Sequence, residues 1–172
     1  MDWITSDQHF GHANIIKHCS RPFSSVEEMD EKLISNWNES VGPRDTVYHL
    51  GDIIFRSAKA PETYLNRLNG RIHLIRGNHD TKTIKCCAYR FASICEILIY
   101  RMERQKVILC HYAIRQWEGK HLGTWHLYGH AHGTLPPLGL SFDVGVDVHD
   151  FLPWSWPEIK LKITELKELV LS

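Results

Sequence analysis

The sequence contains no apolar run approaching the ~20 residues that a bilayer-spanning helix needs, so no membrane role is expected. It has no surplus of charge: 20 Lys and Arg balance 20 Asp and Glu, and no global field draws the chain toward DNA, RNA or anionic lipid. Cysteines are few, odd in number at 5, and two of them, Cys86 and Cys87, are adjacent. That pattern makes a poor disulfide framework, and a reducing cytoplasm is the expected compartment. A secretory leader is not expected either, because Met1-Asp2-Trp3-Ile4 already reads as folded protein. There is no internal repeat, Ser/Gly linker or charge block, so residues 1–172 read as a single domain. With 43% hydrophobic and 23% charged residues the chain is neither disordered nor a coiled coil. The one excess is 12 histidines, and function is to be sought there.

Short apolar runs rich in branched and aromatic residues end abruptly in polar ones, as buried strands do. They are Met1 to Ser6, Thr46 to Leu50, Arg71 to Ile75, Ile94 to Tyr100, Lys106 to Cys110, Trp125 to Tyr128 and Leu140 to Val146. Between them lie helical patterns. Ser24 and Ser25 precede Glu27 and Glu28 at capping-box spacing, and Val26, Met29, Leu33 and Trp37 mark one apolar face. Pro61 to Asn69 reads as a second helix with Gly70 as its stop. A third begins near Ser155-Trp156-Pro157 with Ile159, Ile163, Leu166 and Val170 inward, although Ile159, Leu161 and Ile163 also alternate like a strand. Tyr100 to Lys106 forms a hairpin that brings antiparallel pairing late in the chain. The expected class is an α/β layered domain.

The polar residues at the strand ends are Asp7-x-His9, Gly51-Asp52, Gly77-Asn78-His79-Asp80, His111, and Gly129-His130-x-His132. In α/β sheets, groups just past the carboxyl ends of strands converge on one crevice. Imidazole nitrogens with carboxylate or amide oxygens are ligands for divalent first-row metals. Seven such ligands exceed the need of one ion and suffice for two if one carboxylate is shared. On extended chain the Asp-x-His and His-x-His pairs point both side chains one way, and glycines Gly51, Gly77 and Gly129 precede ligands where the backbone must pass close to the site.

In this order the five blocks resemble the signature of the calcineurin-like metallophosphoesterase superfamily, and the run Asp7-Gln8-His9-Phe10-Gly11-His12-Ala13-Asn14-Ile15-Ile16 resembles a branch of short bacterial and phage members. The resemblance implies a two-sheet β-sandwich of mixed strands flanked by helices. It implies one metal held by Asp7, His9, Asp52 and His132, and a second held by Asp52, Asn78, His111 and His130, with Asp52 bridging. It also implies hydrolysis of phosphate mono- or diesters by a hydroxide formed between the two cations. A water mechanism agrees with the lack of a nucleophile-elbow serine.

His79, next to ligand Asn78, is the expected general acid, with Asp80 orienting its imidazole. Asn78, Arg115 and His12 are the expected substrate contacts, with Arg56 ranked below Arg115 and Arg76 read as structural. His49, His73, His18, His121 and His126 read as structural or surface residues, and His149 as an outside member of the site. After the middle histidine many superfamily members carry a small residue; Tyr112 stands there instead, narrowing the pocket or stacking on a base. Manganese is the expected metal, with iron, zinc, nickel or cobalt suited to the same ligands. Small phosphodiesters or nucleotides are the favoured substrates, and long nucleic acid is not. The competing readings are a catalytically weak metal-binding scaffold and a nuclease. The oligomeric state is not legible.

Overall fold

The computed structural model describes the backbone of residues 1–171 and the side chains of residues 1–168. Among the described residues nine strands form two sheets. The first has β1 (Asp2–Thr5), β2 (Thr46–His49), β3 (Arg71–Ile75) and β4 (Ser93–Cys95) in parallel, with β9 (Trp154–Ser155) antiparallel on β1, in the order β4-β3-β2-β1-β9. The second runs β5-β6-β7-β8, with β5 (Ile97–Met102) antiparallel to β6 (Gln105–Cys110) and β7 (Trp125–Tyr128) and β8 (Ser141–Asp143) following in parallel.

Side chains alternate across each strand, and this sorts the core into two layers. Tyr48, Leu50 and Ile75 of the first sheet meet Val107, Leu109, Leu127 and Phe142 of the second. On the opposite face of the first sheet, Val47, Ile72 and Leu74 pack under the helices α1 (Ala13–His18), α2 (Val26–Ser40) and α3 (Glu62–Leu65). Helix α2 is capped at Ser25, whose Oγ accepts the Glu28 N–H at 3.1 Å, while the Glu28 carboxylate reaches back to Ser24. It buries Met29, Leu33 and Trp37, each ~1.5–3 kcal/mol of apolar burial. Helix α5 (Trp156–Leu171) resolves the helix-or-strand ambiguity: Ile159, Ile163 and Leu166 are buried and Leu161 is exposed. Its start is fixed by Ser155, whose N–H and Oγ both donate to Glu158. Val170 falls outside the described side chains.

Three expectations are corrected. The run Ile94 to Tyr100 is not one strand: it breaks at Glu96, with β4 ending the first sheet and β5 opening the second. A continuous apolar run carries no mark of the point where the chain changes sheets. The helix expected over Pro61–Asn69 closes at Leu65, because the next turns tighten into i→i+3 bonds, Arg67 N–H to Tyr64 O and Leu68 N–H to Leu65 O. The last expected strand is limited to Ser141–Asp143, after which Gly145 bridges to Ser6 and Val146–Val148 turns as a 3-10 helix.

Candidate dinuclear metal site

Strands β1, β2 and β3 of one sheet and β6 and β7 of the other end at the same edge, and each hands the chain to a ligand-bearing loop. The loops are stitched together by backbone bonds: Asp7 N–H to Gly51 O, His9 N–H to Asp52 O, and Gly129 N–H to His111 O, all at 3.0 Å. The Asp-x-His and His-x-His pairs are not on extended chain, contrary to expectation. Asp7, His9, Asp52, His130 and His132 all adopt left-handed backbone, with φ between 47° and 66°. Few non-glycine residues do so, and the strain is sustained only where surrounding structure over-determines it. Clustering of five such residues at one edge is a mark of a built site. The site glycines act through the side chain they lack: a Cβ on Gly129 would lie 2.5 Å from the Asp7 carboxylate, and one on Gly77 would collide with Asp52.

The seven predicted ligands come together in two groups. Ligand atoms of Asp7, His9 and His132 lie within 4.8 Å of one another, and so do those of Asp52, His111 and His130. Asp52 stands between the groups, its Oδ2 at 3.6 Å from His9 Nε2 and 3.5 Å from His111 Nε2. Asn78 Oδ1 is 3.0 Å from His111 Nε2.

Tautomers show what these groups fit. His111 Nδ1 donates to the Leu50 carbonyl at 2.6 Å, and His132 Nδ1 donates to Asp147 at 2.7 Å. Their Nε2 atoms are the ring nitrogens turned into the site, as in metal-binding histidines held by an outer partner. The His111 Nε2 faces the oxygens of Asn78 and Asp52. Asp7 Oδ1 and both ring nitrogens of His9 are buried without a hydrogen-bond partner. Lone pairs gathered in a buried space repel unless a positive charge lies among them. The residues therefore fit a bound divalent metal.

The electrostatics agree. Burial pushes the Asp7 carboxyl up to about 7. Burial also opposes ionisation of Asp52, but His111 and the His79 N–H outweigh it and hold Asp52 at about 2. Burial lowers His132, yet its bond to Asp147 reverses this and lifts it to about 10. A cation bound at His132 would displace the proton from Nε2, so metal binding there is opposed as pH falls.

Residues 3–152 match the calcineurin-like phosphoesterase family. The chain belongs to that family. A calcineurin-like phosphoesterase is a phosphoester hydrolase that uses divalent metals, and the two sheets flanked by helices have the fold that the resemblance implied. An uncharacterized protein of Methanocaldococcus jannaschii is 37% identical over 182 residues, covering 98% of this chain and 93% of its own. A protein of unknown function from Aquifex aeolicus superposes with a TM-score of 0.75 at 26% identity, covering 95% and 99% of the two chains. An archaeal phosphodiesterase shares the fold at a TM-score of 0.52 and 19% identity, over 84% and 81%.

The remaining predicted residues divide. His79 lies at the site: its Nε2 is 3.8 Å from Asp52 Oδ2 and its backbone N–H donates to Asp52 Oδ1 at 2.9 Å. His12 packs beside His9 with ring centroids 5.3 Å apart, and burial lowers it to about 4, so it is neutral at pH 7. Asp80 does not orient His79. Its Oδ2 accepts the Asp52 and Gly77 N–H groups at 2.9 and 2.8 Å, and its Oδ1 accepts the Ile53 N–H at 3.1 Å. The side chain is fully buried and holds the β3 loop against the β2 loop. The His79 ring is instead held by Phe55, at a centroid distance of 3.6 Å.

Arg115 is exposed in a groove with Ile114, Leu135 and Leu138, without a hydrogen bond to any ligand among the described residues. Arg56 lies over Phe55 at 5.0 Å, and Arg76 is tied to Glu96 and Thr81. Tyr112 stands at the rim, 4.9 Å from both the His111 and His130 rings. His149 stacks on Trp154 at 3.8 Å and lies apart from the ligands.

Sequence reading missed Arg21 and Asp147. The buried Arg21 grips Asp147 with Nε and Nη2 at 2.7 and 2.8 Å and also donates to the Asp7 and Gln8 carbonyls, so it locks both His132 and the first loop. Their separation of 126 positions leaves no local signal.

Proposed function

We propose that this chain hydrolyses small phosphate diesters, nucleotides among them, at a centre of two divalent cations, manganese first, with His79 as the general acid. The observation that carries the reading is the convergence of the seven candidate ligands in two groups with Asp52 between them, the first group holding buried atoms of Asp7 and His9 that have no hydrogen-bond partner. When bound, such a pair of cations lowers the pKa of a water and polarises the phosphoryl oxygens. Asp7, His9, Asp52 and His132 would hold the first, and Asp52, Asn78, His111 and His130 the second.

The protein's own part is positional. Leu50 and Asp147 fix which nitrogen of His111 and His132 faces inward. Phe55 holds the His79 ring at the open side of the site, where its Nε2 can pass a proton to the departing oxygen. Tyr112 at the rim limits the bulk that can approach over the second group and favours small esters. The test is a metal-supplemented assay on bis-p-nitrophenyl phosphate after chelation, with elemental analysis of the reloaded protein. Two equivalents of metal and restored turnover are expected. Protein that takes up no transition ion from an excess, or takes up two and leaves this ester and its monoester analogue intact, overturns the reading.

A further inference from the structure

Beside His79 and Asn78 opens a cavity of about 470 Å³. One wall is the loop after β2, with Phe55, Arg56 and Lys59. The other is helix α4 (Thr81–Cys87), which places Lys82 and Lys85 one turn apart. No acidic residue lines it, and among the described residues none of these four cations is within 4.0 Å of a carboxylate. In a chain of zero net charge, four cations about one cavity are a local excess that focuses a positive field there and draws in anions. Among the described residues Phe55 is the one aromatic side chain lining the cavity besides the imidazole of His79, and its surroundings are taken by the rings of His79 and His12 and by the Arg56 guanidinium. The cavity therefore offers a base no open aromatic face, and offers an anion several donors.

We propose that this cavity receives the leaving group of the substrate and recognises a second phosphate on it. The inference rests on the hydrolase reading above and specifies its substrate class as phosphodiesters with a further phosphate beyond the scissile one, a phosphorylated dinucleotide or a short oligonucleotide. The direction follows from His79: a proton donor must reach the departing oxygen, so the leaving group lies on the His79 side, and His79 lines this cavity. Lys and Arg from two elements then meet the next phosphate along the chain.

Two measurements test it, one without turnover. Chelated, metal-free protein is titrated calorimetrically with thymidine 3′,5′-bisphosphate at low salt, as wild type and as K82A/K85A, with thermal unfolding as the check that both are folded. At least a tenfold rise in Kd is expected in the variant, and affinity in the wild type falls as salt rises. In the second measurement, manganese-loaded protein is given TpT, its terminally phosphorylated forms pTpT and TpTp, and decathymidylate. A phosphate on one terminus is expected to raise kcat/KM at least tenfold in the wild type, and that ratio collapses toward one in the variant. A preference for decathymidylate over the phosphorylated dinucleotide assigns the site to a strand, and equality assigns it to a nucleotide. Bisphosphate affinity unaffected by the double substitution, or equal turnover of TpT and both phosphorylated forms, overturns the proposal. Failure to hydrolyse bis-p-nitrophenyl phosphate strikes the hydrolase reading instead and leaves the calorimetric result to judge the cavity.

Discussion

Replacing Asp80 separates two roles that its place after His79 makes equally natural. Its carboxylate accepts three backbone N–H groups in a fully buried setting, from Asp52, Ile53 and Gly77. Asp80→Ala leaves all three donors without a partner. Each buried unsatisfied donor costs about 1–3 kcal/mol, and with partial entry of water the low end applies, so the loss is about 3 kcal/mol. For a domain of this size that lowers Tm by about 6–12 °C. Asp80→Asn can keep its oxygen on the Asp52 and Gly77 donors and turns its amide toward the Ile53 N–H, losing about 1–2 kcal/mol. The assay is thermal unfolding in excess chelator, so that metal binding does not contribute, followed by the pH profile of kcat on metal-loaded protein. The expected order of stability is wild type, Asp80→Asn, Asp80→Ala. An Asp80→Ala protein within about 2 °C of the wild type, with its basic limb displaced, would refute the reasoning and restore Asp80 as the partner of His79.

His79→Ala should lose ~10²–10⁴-fold in kcat while elemental analysis still finds both metals, and retained full turnover removes its role as acid. Gly129→Ala puts a methyl group 2.5 Å from the Asp7 carboxylate, so metal content should fall below that of the wild type; unchanged content contradicts the close approach. Arg21→Lys keeps the charge but cannot fork to both Asp147 oxygens and the two carbonyls. Urea unfolding of the metal-free variant should show a loss of about 1–3 kcal/mol, and metal affinity should weaken about 10-fold or more as His132 loosens. Wild-type values in both would dismiss Arg21 as a support of the site.

How much was legible in the sequence follows from range. Ligand-bearing blocks announce themselves locally, because each lies where a short apolar run stops, and five of them in order are improbable without a shared purpose. The α2 cap and the inward face of α5 were legible for the same reason, since a helix repeats within one or two turns. The break at Glu96 was not, because the apolar pattern on both sides is the same and only pairing tells the sheets apart. The role of Asp80 was misread because adjacency suggested a partner, while its real partners include Asp52 and Ile53, 28 and 27 positions earlier.

Sequence alone determined the chemistry on offer: imidazole, carboxylate and amide groups at strand ends, a neutral net charge, and an α/β pattern that sends those ends to one edge. Only the tertiary structure decided how they are used. It chose which nitrogen of His111 and His132 faces inward, through the Leu50 carbonyl and Asp147. It set Asp7 against the His130 N–H from 123 positions away, and it stacked Phe55 on His79. It also gathered Arg56, Lys59, Lys82 and Lys85 about one cavity, from two segments whose charges look unremarkable in the chain. The physical reason is that residue type and local period are carried by neighbours in sequence, whereas tautomer, burial and field depend on neighbours in space.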